Sequence, residues 1–201
     1  MLRIGVTGRM ASGKSTVARR FEQRGAVRID GDALGQETIR TPEIRSAIEA
    51  EFGPTVIGSD GAVDRARLGA VVFRDSLAME RLNRIVQPAL LERVRREVAT
   101  ATPGPAGVVV LDAALISTWK LERALDGVVL VTAPEDLRVR RLAAARGFSD
   151  EEARARVRGQ SLPEISEAKR LWPIENVGDV AALDAAADRV WREIAALRPS
   201  G

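Results

Sequence analysis

Five short β-prone runs punctuate the chain, and between them apolar residues recur at helical spacing. The runs are Leu2-Arg3-Ile4-Gly5-Val6-Thr7, Ala26-Val27-Arg28-Ile29, Val108-Val109-Val110-Leu111, Val128-Val129-Leu130-Val131 and the short strand and turn Pro173-Ile174-Glu175-Asn176-Val177-Gly178. The third and fourth are apolar at every position, as a central parallel strand covered on both faces requires. Helical pattern fills the intervals. It covers Val17 to Arg24, stopping at Gly25, then a run from Ala33, and Pro42 to Phe52, closed by Gly53-Pro54. Arg65 to Phe73 and Ser76 to Ala99 follow, the latter with Leu77, Leu82, Ile85, Leu90, Val94 and Val98 on a helical stripe. Pro88 within it is expected to kink or split the helix. Glu135 to Arg146 is helical, and Ser149-Asp150-Glu151-Glu152 is a capping box that opens a helix to about Gln160. Asp179 opens a last helix, Val180 to Leu197, with Leu183, Val190, Ile194 and Leu197 on one face. The final few residues are expected to be disordered. Strands alternating with helices predict an α/β protein with a short parallel sheet, of three-layer α/β/α type.

Between the first strand and the first helix stands Gly8-Arg9-Met10-Ala11-Ser12-Gly13-Lys14-Ser15-Thr16. This is G-x-x-x-x-G-K-S, the phosphate-binding loop of P-loop proteins, in its strand–loop–helix context. A triphosphate concentrates negative charge in a small volume. Backbone N–H groups from Gly8 through Ala11, Ser12 and Gly13 to Thr16 can converge on it. Gly8 and Gly13 let the backbone bend and approach. Lys14 supplies a mobile cation for the β- and γ-phosphates, and the Ser15 hydroxyl suits Mg²⁺. ATP with Mg²⁺ is therefore the expected nucleotide and cofactor.

Ligands of open α/β sheets bind beyond the carboxyl ends of the strands. Three aspartates fall at that edge: Asp30 and Asp32 after the second strand, and Asp112 after the third. Asp30 reads as a helix cap and Asp32 as a functional carboxylate. Asp112 is open between a place near Mg²⁺, a contact to the acceptor, and another cap. Arg141, Arg146, Arg154 and Arg158 lie on the helices that follow the fourth strand, and are candidates for clamping a transferring phosphoryl group. The helical stretch inserted between the second and third strands is a candidate acceptor-binding subdomain, or plain packing.

Composition narrows the chemistry. The 201 residues contain no Cys and no His. That removes disulfides, thiolate or imidazole metal sites and a Ser-His-Asp triad. A general base must be a carboxylate or one of Lys14, Lys120 and Lys169. The 31 Lys and Arg against 28 Asp and Glu leave a net charge of +3, but these charges interleave on helices, as in Glu92-Arg93-Val94-Arg95-Arg96-Glu97. Such faces are solvated, and no basic aromatic cluster accompanies them, so nucleic acid is not an expected partner. No apolar run is long enough for a bilayer, and no signal-peptide layout precedes the first strand. A cytoplasmic protein, monomer or weak homo-oligomer, is expected. The Asp-x-Asp after the second strand and the lack of an Asn-Lys-x-Asp guanine motif favour a small-molecule kinase over a motor or GTPase.

These motifs, taken in order, resemble the dephospho-CoA kinase family. Val6-Thr7-Gly8 with Ser12 to Ala18 fits its loop and helix, and Ile29-Asp30-Gly31-Asp32 its I-D-A-D. Phe52-Gly53, Asp60-Gly61, Arg65, Leu68 and Phe73 keep its spacing. Leu82-Asn83-Arg84-Ile85-Val86-Gln87-Pro88 is similar to its L-N-x-I-x-H-P, and Val110 to Ile116 to its V-x-D-x-P-L-L. Arg141, Gln160 and Asn176-Val177-Gly178 recur at its separations. The resemblance implies ATP-dependent phosphorylation of the ribose 3′-hydroxyl of dephospho-CoA. It implies Asp32 as general base, Lys14 on the β/γ-phosphates, Ser15 on Mg²⁺, and Arg141 on ATP. Asn176 and Gly178 would line the adenine pocket, and Arg65 and Asp112 would lie near the acceptor. It also implies one P-loop domain with a core of about 1–40, 106–148 and 172–198, an acceptor subdomain at about 41–101 and a lid at about 149–171. The chain departs from the family pattern at Gln87, at Ala114, at Ser117-Thr118-Trp119, at Ala145, at Ser166 and at Arg170-Leu171. Two other readings stay open: a kinase for another nucleoside or nucleotide, and an ATP-binding regulatory protein without turnover.

Overall fold

Five parallel strands form one sheet in the order β2-β3-β1-β4-β5, where β1 is Leu2–Thr7, β2 Val27–Asp30, β3 Val108–Asp112, β4 Gly127–Thr132 and β5 Leu171–Glu175. The structure is a computed structural model and describes residues 1–72, 75–160 and 164–197. The helices are α1 (Lys14–Gln23), α2 (Gly31–Ile39), α3 (Pro42–Phe52), α4 (Arg65–Val72), α5 (Ser76–Thr100), α6 (Glu135–Arg146), α7 (Asp150–Gly159) and α8 (Val180–Ala196). The chain divides into two compact units, Met1–Gly31 with Thr100–Gly201, and Asp32–Ala99.

The first unit holds the sheet. The apolar runs β3 and most of β4 are buried throughout, as their composition requires. One sheet face presents Ile4, Val6, Val108, Val110, Val129 and Val131, and α1 and α8 cover it with Phe21, Leu183, Val190 and Ile194. Gly5 of β1 faces the other way, where a methyl group would come within 2.8 Å of Ile116 and Leu125. The α1–α8 pair is closed at its rim by Asp188, whose carboxylate accepts from Arg20 at 2.6 Å and from Arg24 at 2.6 Å. Helices α6 and α7 form a separate small cluster around Val139, Leu142, Ala153 and Val157, against which Ala11 of the phosphate-binding loop packs.

The second unit has its own core of Ile48, Val56, Leu68, Val72 and Ala78 from α3, α4, the intervening turn and the start of α5. An antiparallel bridge between Ile57 and Val63 closes the turn through Gly61.

Several sequence expectations are corrected. Helix α5 runs through Pro88 without splitting; Pro88 is exposed, where a freed carbonyl costs least. Leu77 is 61 % exposed and leaves the apolar stripe to its neighbour Ala78. Helix α2 starts at Gly31, so Asp32 stands inside its first turn rather than before it. Strand β5 begins at Leu171 and carries Pro173 mid-strand, which an edge strand tolerates. Phe73 and the C-terminal residues 198–201 lie outside the described residues. No described helix is long and apolar enough to cross a membrane.

Candidate active site

The phosphate-binding loop crosses the end of β4 at van der Waals limit. A Cβ on Gly8 would lie 2.2 Å from the Val131 carbonyl oxygen, so no side chain fits there. Gly13 has φ +102° at the N-cap position of α1, and a Cβ on it would lie 2.5 Å from Asn176 Nδ2. Ala11 takes φ 59°, a left-handed conformation uncommon outside glycine. Helix α1 has no side-chain cap and no acidic residue in its first turn, so its positive end faces the loop uncompensated by the helix itself.

Two side chains from far along the chain fasten this loop. Gln160, just past α7, accepts from Met10 N at 2.6 Å. Asn176, buried just past β5, donates its Nδ2 to the Ser12 carbonyl at 2.8 Å. The other end of the Asn176 amide accepts from Arg141 Nη2 at 3.1 Å, and the same Nη2 donates to the Gly178 carbonyl at 3.1 Å. Loop, Asn176, Gly178 and Arg141 thus form one connected group, on α1, the β5 end and α6.

Lys14 Nζ lies 3.2 Å from Asp112 Oδ1 and 3.3 Å from Ser15 Oγ. Asp112 is 1 % exposed, so its charge needs partners, and Arg28 supplies the second, donating from Nη2 at 2.6 Å. Arg28 also donates to Asp30 at 2.7 Å. Burial pulls the Arg28 guanidinium down, but its bond to Asp112 and the charges of Asp112 and Asp30 outweigh that and hold it above its ordinary pKa. The register explains the cluster: Asp30 of β2 lies opposite Asp112 of β3. Asp112 is therefore neither a helix cap nor free-standing. Arg28 escaped sequence reasoning; its signal was a charged residue inside a short strand next to a buried one.

Asp32 and Arg65 belong to the second unit. Asp32 is exposed in the first turn of α2, directly after Gly31, and Arg65 is the exposed first residue of α4. The candidate phosphoryl clamps on α7 are engaged elsewhere: Arg154 pairs with Asp136 at 3.1 Å and Arg158 with Glu135 at 2.8 Å, joining α7 to α6. Arg146 is exposed at the end of α6.

The donors around Lys14 are hard oxygens, one hydroxyl and one carboxylate, and among the described residues no cluster of three or more acidic, His or Cys side chains could hold a metal. That set would suit a Mg²⁺ ion arriving with a nucleotide.

The family model described as dephospho-CoA kinase matches residues 2–181. The chain is 40 % identical over 196 residues to a dephospho-CoA kinase of Thermobifida fusca, covering 96 % of each. It is 38 % identical over 196 residues to one of Corynebacterium efficiens, covering 96 % of this chain and 98 % of that protein. Among solved structures, TT1252 from Thermus thermophilus superposes with a TM-score of 0.74 at 33 % identity, over 96 % of this chain and 97 % of that one. The Campylobacter jejuni dephospho-CoA kinase, at 21 % identity and a TM-score of 0.58 over 96 % of both chains, shares the fold. The chain belongs to the dephospho-CoA kinase family.

Proposed function

We propose that this protein transfers the γ-phosphoryl group of ATP to the ribose 3′-hydroxyl of dephospho-CoA, giving coenzyme A and ADP in the cytoplasm, the final step of coenzyme A synthesis. The observation that carries the reading is the phosphate-binding loop with its lysine on the buried Asp112, in a chain matched by the family nearly end to end. The 3′-oxygen attacks the γ-phosphorus, the bond from phosphorus to the β–γ bridging oxygen breaks, and the hydroxyl proton passes to Asp32. Most of the catalysis is then positioning and charge stabilisation.

Loop N–H groups from Gly8 to Thr16 and the Lys14 ammonium bind the phosphates. Arg141 contacts ATP, held in place by Asn176 and Gly178 beside the adenine. The Ser15 hydroxyl would hold Mg²⁺, with Asp112 as a negative charge nearby, and the ion would neutralise phosphate charge when bound. Arg65 and Asp112 orient the acceptor. The helical subdomain at about 41–101 binds it, and the stretch at about 149–171 acts as lid.

The test is product analysis by mass after incubating purified protein with Mg-ATP, with and without dephospho-CoA. Expected are coenzyme A and ADP in equal amounts, and a loss of about 10²–10⁴-fold in rate for Asp32→Asn with ATP binding kept. No coenzyme A, beside ATP binding that requires Lys14, would sink the assignment and direct the search to another hydroxyl acceptor.

A further inference from the structure

A cavity of about 260 Å³ opens beside the phosphate-binding loop, wholly within the first unit. Its wall includes Gly8 and Arg9 of the loop, Ser117, Ala133 after β4, Arg138 of α6 and Glu164. Arg138 is unusual for a surface helix. It is 4 % exposed, and its Nε donates to the Ala133 carbonyl at 3.2 Å. Its Nη1 is buried and has no hydrogen-bond partner among the described residues. Burial first, and then the charge of Arg9, depress its pKa, with Glu135 opposing them. A guanidinium does not give up its proton in a protein, so the charge persists. A buried cation with an open donor costs stability unless something completes it.

The completing group has a defined chemistry. It must accept hydrogen bonds, carry negative charge and fit between Arg138 and the exposed Arg9. A tetrahedral oxyanion does all three, and arginine forks match phosphate oxygens. The exposed Glu164 borders the same cavity.

We propose that this cavity is a phosphate-binding site separate from the triphosphate seat on the loop and α1, with Arg138 as its central ligand and Arg9 beside it. The phosphate is either carried by the acceptor or free in solution. The site stands on Arg138 and the cavity, whichever acceptor the kinase uses.

The experiment uses the full chain with its loop saturated by Mg²⁺ and a non-hydrolysable ATP analogue. Inorganic phosphate is titrated in by calorimetry. The wild type is expected to bind it. Arg138→Met is expected to weaken that binding at least about tenfold, with affinity for the analogue unchanged. Unliganded Arg138→Met should be at least as heat-stable as the wild type, because a buried unpaired charge is gone; a purely structural arginine would instead leave it less stable. Arg138→Lys keeps the charge without the fork and should bind at intermediate strength, which also serves if the methionine variant does not fold. A KM for dephospho-CoA that rises in Arg138→Met, with kcat and the KM for ATP unchanged, assigns the phosphate to the acceptor. An unchanged KM assigns it to a free anion. A wild type that binds no phosphate, or an Arg138 variant that binds it equally well, overturns the proposal. The titration needs no turnover, so a protein inert toward dephospho-CoA would refute the assigned reaction without touching this site.

Discussion

A single buried amide, that of Asn176, joins the loop to the arginine expected at the nucleotide. Removing it strands the Ser12 carbonyl and leaves Arg141 Nη2 with the Gly178 carbonyl alone. An orphaned buried carbonyl costs about 1–3 kcal/mol. Asn176→Ala should therefore lower the thermal midpoint and raise the KM for ATP several-fold, with a smaller effect on kcat; equal midpoints for variant and wild type would contradict the bridging role. Gly8 is subject to a harder constraint, since a methyl group would lie 2.2 Å from the Val131 carbonyl oxygen. Gly8→Ala should abolish measurable ATP binding in a titration while the far-UV spectrum stays α/β. The loop glycines and Lys14 were legible from spacing alone, because their chemistry is local. Asn176 was visible only through resemblance, and Arg28 not at all. Their partners lie 164 and 84 residues away, beyond any local pattern.

Among elements, α6 and α7 were read almost to the residue. Glu135–Arg146 matched, and the capping box is formed in both directions, with Glu152 N donating to Ser149 Oγ at 3.2 Å and Ser149 N to Glu152 Oε2 at 3.0 Å. The Ser149 N–H, and after it the Ser149 hydroxyl donating to Oε2 at 3.1 Å, hold the Glu152 carboxyl below its ordinary pKa. Ser149→Ala should cost about 1 kcal/mol in denaturant unfolding. The α7 arginines pair with Glu135 and Asp136; a helix pattern shows which face a charge occupies but not which carboxylate of the next helix stands opposite. Helix α5 shows the same limit from the other side: Pro88 signalled a kink or a split, and the helix is not split there.

At the scale of the whole molecule, the order of β-prone and helical runs was enough to foresee the parallel sheet, but not its strand order, which depends on crossovers that no run encodes. Long-range ties such as Asp188, gripped by Arg20 first and then Arg24, were equally hidden. That grip sets its pKa far below the ordinary 3.8. The native state therefore keeps Asp188 ionised where the unfolded chain would protonate, so the stabilisation is complete above about pH 4 and fades as pH falls further. Asp188→Asn should unfold more easily than wild type at pH 7, and the gap between the two should narrow in melts run below about pH 4. Pro173 also acts at this scale. Asn176 N bonds to the Thr132 carbonyl and Val128 N to the Arg170 carbonyl, so even-numbered residues of β5 face β4 and odd-numbered ones face away. Pro173 thus removes an N–H from the middle of the sheet's outer rim. A foreign strand adding there would find its ladder interrupted at the centre, which guards the rim of a concentrated protein against strand-by-strand polymerisation.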